Sequence, residues 1–94
     1  MKIEKLAFAI LKEIEKGNQA YDEETFGVSV EEFSDAFRYV VSNNLAKNVL
    51  FADDRAYVYT TASLTPEGIA YIKENSTWNK AYSVAKEIRE WIKL

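Results

Sequence analysis

Over residues 46–62 the hydrophobic spacing of the chain changes from the period of a helix to that of a strand, and this change narrows the possible folds most. Val49 and Phe51 alternate with Asn48 and Leu50, and Tyr57, Val58 and Tyr59 follow, side chains suited to a pleated, half-buried surface. Between the two runs stands Ala52-Asp53-Asp54-Arg55, polar enough for a turn although it contains no glycine. The pattern predicts two antiparallel strands, 47–52 and 56–61, joined as a hairpin. Helical spacing lies on both sides, so the chain reads as α+β.

On the N-terminal side, Ile3, Ala7, Ile10 and Ile14 recur at a spacing that stacks them on one face of a helix over 2–16, with Leu6 and Leu11 widening the stripe. Lys2, Glu4, Lys5, Lys12, Glu13, Glu15 and Lys16 fill the other faces, and Gly17-Asn18 is the expected stop. Asp22-Glu23-Glu24-Thr25-Phe26 can form a single helical turn closed by Gly27. Ser29-Val30-Glu31-Glu32 matches a capping box, in which a hydroxyl and a carboxylate satisfy the unpaired N–H groups at a helix start. The helix that follows is expected to turn Val30, Phe33, Ala36, Phe37, Val40 and Val41 inward and to end at Asn43-Asn44. After the hairpin, Thr65 caps a helix that has Pro66 in its first position, where a missing N–H costs nothing. Ile69 and Ile72 are expected to face inward, and Ser76 or Thr77 to start a last helix running to about residue 93.

Three helices, a two-stranded hairpin and two extra C-terminal helices give the order of a winged helix-turn-helix. Ninety-four residues are enough for one such domain over 1–94 and too few for two cores. Motifs along the chain resemble the YjcQ-like family of small winged-helix proteins from bacteria and their prophages. They are Ala9-Ile10-Leu11-Lys12-Glu13-Ile14, Asp53-Asp54-Arg55, Leu64-Thr65-Pro66-Glu67-Gly68, Lys73-Glu74-Asn75, Trp78 with Lys80-Ala81-Tyr82, and Lys86-Glu87-Ile88 with Trp91-Ile92-Lys93. The resemblance runs over nearly the whole chain. It implies the fold, and it brings no activity or binding residue with it.

The composition removes several chemistries. There is no histidine and no cysteine, so imidazole general bases, thiol nucleophiles and thiolate metal sites are excluded, and no disulfide can form. The three glycines are scattered and make no phosphate loop. Asp53 and Asp54 alone offer too few oxygens for a hard cation. No catalytic residue, metal ligand, cofactor or small-molecule ligand is expected. The longest apolar run, Leu6-Ala7-Phe8-Ala9-Ile10-Leu11, has six residues against the roughly 18–20 that a membrane span needs, so a soluble, cytoplasmic protein is expected.

Binding is what remains. The net charge is −3, and it is unevenly spread: between Asp22 and Asp35 there are six acids and no base. A winged helix normally meets DNA through its third helix and wing, where lysine and arginine must face phosphates. Here that helix is expected to expose Glu31, Glu32, Ser34, Asp35, Arg38, Tyr39 and Ser42, which is three acids against one base. Arg38, Tyr39, Ser42, Lys47 and Arg55 are the candidate DNA contacts, on a surface whose charge opposes docking. A protein partner or self-association fits better. The last helix is apolar over more than half its circumference, with Trp78, Tyr82 and Ile88 expected to close the core. Trp91 and Val84 lie toward the edge, and with Trp78 they are the candidate interface residues.

Overall fold

The computed structural model describes residues 3–17, 21–49, 51–52, 55–56, 62–84 and 90–91, with the backbone alone at 51–52 and 55–56. The fold is α+β, and its centre is the first helix, α1 (Ile3–Glu15). All eight residues from Leu6 to Glu13 are buried. The expected two-faced helix is therefore corrected: Phe8, Ala9, Lys12 and Glu13 are inside as well. A helix covered on every side is what a continuous apolar run favours, and here the cover comes from two directions. Tyr21, Phe26, Phe33 and Phe37 form one aromatic group in the core, with Tyr21 stacked on Phe37 at 9°. Tyr71, Trp78, Tyr82 and Trp91 form another, all gathered around Phe8.

The buried charges on α1 have partners. Lys12 Nζ lies 2.6 Å from Glu15 Oε1, and the Glu13 carboxylate accepts a hydrogen bond from the Tyr82 hydroxyl. α1 stops at Gly17, as expected, where the N–H donates to the Ile14 carbonyl at 3.0 Å.

The short helix α2 (Glu23–Phe26) is capped by Asp22, whose Oδ1 accepts from the Thr25 N–H at 3.1 Å. Gly27 follows it with φ of 71°, a left-handed turn that lets Val28 N–H reach the Glu23 carbonyl at 3.0 Å. The capping box forms as the sequence predicts. Ser29 N–H donates to Glu32 Oε1 at 3.0 Å, and Glu32 N–H donates to Ser29 Oγ at 3.1 Å. It starts α3 (Val30–Ser42). At the other end Asn44 takes φ of 57°, so that its N–H reaches Val41 and that of Leu45 reaches Val40.

The inward arc of α3 is centred on Phe33, Ala36, Phe37 and Val40, and is rotated from the expected one. Val30 and Val41 are each 39% exposed, whereas Ser34 is 1% exposed with no hydrogen-bond partner for its hydroxyl among the described residues. The two edges of an apolar stripe cannot be told apart by spacing, because the neighbouring elements decide which edge is covered.

Among the described residues the strand region holds two ladders where one hairpin is expected, and 57–61, most of the expected second strand, lie outside those residues. β1 (Ala46–Lys47) pairs antiparallel with β4 (Ser63–Leu64), and β2 (Phe51–Ala52) pairs with β3 (Arg55–Ala56). Two residues, 53 and 54, connect β2 to β3, so the turn lies where the sequence puts it, while Asp53 and Asp54 themselves are outside the described residues. Three residues separate β1 from β2 and six separate β3 from β4, so the two registers cannot be continuous. The outer ladder extends beyond the expected strand to Leu64, against Ala46.

α4 (Pro66–Glu74) begins against the end of α3. Thr65 Oγ1 accepts from Gly68 N–H at 3.0 Å and donates to the Asn44 carbonyl, while Thr65 N–H donates to the Leu45 carbonyl at 3.2 Å. The Asn44 amide also donates to Glu67. Gly68 sits so close to Leu45 that a Cβ placed on it would stand 2.0 Å from the Leu45 carbonyl oxygen. Because Gly68 and Ile72 form the inward line of α4, Ile72 is buried and Ile69 is left 45% exposed, contrary to expectation.

α5 (Ser76–Val84) follows at once. Glu90 and Trp91 are helical again, but not as its straight continuation. Thirteen residues of one helix would set Trp78 and Trp91 about 20 Å apart along the axis, whereas their ring centroids are 5.8 Å apart. The single last helix to residue 93 is thus corrected, and Ile88, Ile92 and Lys93 lie outside the described residues. Among the described residues no helix is long and apolar enough to cross a membrane.

Candidate functional site

The side of α3 away from the core is the surface the sequence singles out. Glu31, Asp35 and Ser42 are exposed on it, with Glu32 and Arg38 half-buried. Its charges are partly engaged within the chain. Glu32 is held by the Ser29 cap, and Arg38 Nη1 lies 3.0 Å from Asp35 Oδ1 one turn away. An exposed pair of this kind adds little stability, but it neutralises the arginine that would have to face a phosphate. Before α3 in the chain, α2 and its cap add exposed Glu24 and half-buried Glu23 and Asp22. Carboxylates therefore dominate α2 and the first half of α3, and the one base on these two helices is Arg38.

The candidate DNA contacts come from three places in the fold, α3, β1 and β3. Ser42 and Lys47 are exposed, Lys47 on β1. Tyr39 is half-buried against the core and paired with Tyr71 of α4. Burial, then the neighbouring Tyr39 and the Glu4 carboxylate, pushes the Tyr71 hydroxyl up to about 12. Tyr39 thus takes part in the junction of α3 and α4. Arg55 stands in β3 opposite Ala52, with its side chain outside the described part.

Among the candidate interface residues, Trp91 is 1% exposed and belongs to the core, which corrects its expected place at an edge. Its indole Nε1 donates to the Lys5 carbonyl at 3.2 Å, and Lys5 Nζ lies 5.1 Å above the ring. Trp78 is half-buried with its ring edge-on to Phe8 at 5.6 Å. Val84, at 80% exposure, is the one of the three left open to solvent.

A buried polar junction between α1 and α5 has no counterpart among the features legible in the sequence. Glu13, 4% exposed, accepts from Tyr82 and lies 3.4 Å from Lys16 Nζ, which also sits 5.0 Å over the Tyr82 ring. Burial, with the hydrogen bond to Glu13 and its negative charge, pushes the Tyr82 hydroxyl well above the usual range. The spacing of Glu13 and Lys16 hints at a pair on one helix face. Nothing in the sequence joins Glu13 to a tyrosine 69 residues away.

The family model described as YjcQ protein matches residues 5–91. The chain belongs to the YjcQ family. It is 43% identical over 94 residues to the uncharacterized protein YjcQ of Bacillus subtilis (strain 168), covering 99% of this chain and all of the relative. A solution NMR structure of the YjcQ protein from Bacillus subtilis is similar, with a TM-score of 0.67 and 39% identity, covering 78% of this chain and 95% of that one. The resemblance seen in the sequence is borne out. In this chain Gly68, Trp78, Tyr82 and Trp91, which carry much of that resemblance, sit where helices meet. They serve the packing of the fold.

Proposed function

We propose that this YjcQ-family protein is a non-catalytic interaction module on a winged-helix-like scaffold, and that its α2–α3 face meets a basic protein surface rather than nucleic acid. One observation carries the reading. The helix that would have to enter a DNA groove presents Glu31 and Asp35 outward, and its arginine is already paired with Asp35. Duplex DNA carries closely spaced negative charge, and contact with it needs cations on the protein. Carboxylates at this position oppose that contact and favour lysine- or arginine-rich partners. Half-exposed Val30 and Val41 at the margin of the same helix add the mixed character common in protein contacts. The scaffold reading is supported by three helices followed by short antiparallel strands. The non-catalytic reading is supported by the lack of histidine and cysteine and by the pairing of the buried Lys12 and Glu13 within the fold.

The test is an amide-shift titration of the labelled protein with a lysine-rich peptide and, separately, with duplex DNA at about 50 mM salt, where phosphate contacts are strong. Shifts at Glu24, Glu31 and Asp35 with the peptide, abolished in a Glu24→Gln, Glu31→Gln, Asp35→Asn variant, are expected, with none from the duplex. DNA binding that weakens steeply with salt and is lost in Arg38→Ala would overturn the reading. So would a peptide that leaves α2 and α3 unshifted.

A further inference from the structure

We draw no further inference here: the strongest candidate, the buried Glu13–Tyr82 pair between α1 and α5 with exposed Lys16 at its edge, has its carboxylate, hydroxyl and ammonium engaged with one another in holding the two helices together, so it belongs to the packing already described.

Discussion

At Gly68 two physical effects of opposite sign meet. The residue lies in the first turns of α4, where replacing glycine by alanine would by helix propensity alone stabilise the chain by up to about 1 kcal/mol. Its neighbour is the Leu45 backbone, 2.0 Å from where a Cβ would stand, and a carbonyl cannot move aside as a flexible side chain can. Gly68→Ala is therefore expected to destabilise by about 3 kcal/mol, read as a lower urea midpoint at unchanged slope; a higher midpoint would show that α4 does not press on Leu45. The tyrosines give a second residue-scale expectation. Tyr71 is pushed up to about 12 and Tyr82 is pushed in the same direction, from an unfolded value near 10. Above pH 10 the unfolded chain has released these protons while the folded one still holds them, so their contribution to stability is complete below about pH 10 and is lost as pH rises toward 12. Denaturation midpoints from pH 9 to 12 should fall less steeply in Tyr71→Phe than in the parent, and an equal slope would remove Tyr71 as a cause.

For whole elements, helix starts were legible and helix faces were less so. A cap needs residues three apart in sequence, so Ser29 and Thr65 cap where the sequence places them, and Asp22, read only as part of a helical turn, caps that turn. The Ser29 bonds are exposed and local, so Ser29→Ala should cost about 1 kcal/mol without changing the fold, measured by thermal or urea unfolding; a loss under about 0.3 kcal/mol, below the usual range for caps, would mean that solvent replaces the cap. Faces depend on what lies opposite. Val30, Val41 and Ile69 have the character of core residues and are left part-exposed, while Ser34, Lys12 and Glu13 are covered. The split of the strands into two registers is equally non-local, since β1 finds its partner at Ser63–Leu64.

In the molecule as a whole, two aromatic groups pack in one core, and Trp91 closes the one around Phe8 from near the end of the chain. A domain of this size has a total stability of roughly 5–15 kcal/mol, and truncating a buried tryptophan costs about 3–5 kcal/mol. Trp91→Ala is expected to lower stability by that amount and to weaken the near-ultraviolet circular dichroism of the aromatic core. Full stability with a changed association state by light scattering would return Trp91 to an interface. The candidate surface follows the same division. The acid excess of α2 and α3 is a property of composition along the chain and was legible, as was the helix that carries it. The pairing of Tyr39 with Tyr71 and the burial of Trp91 were not, because each depends on a residue at least 30 positions away. By itself the sequence determined the α+β class, the helix caps, the place of the β turn and the absence of imidazole and thiol chemistry, since these rest on residue identity or short spacing. The tertiary structure alone decided that α1 is enclosed, which valines stay exposed and that Trp91 is core, because burial is set by elements that meet only after the chain has folded.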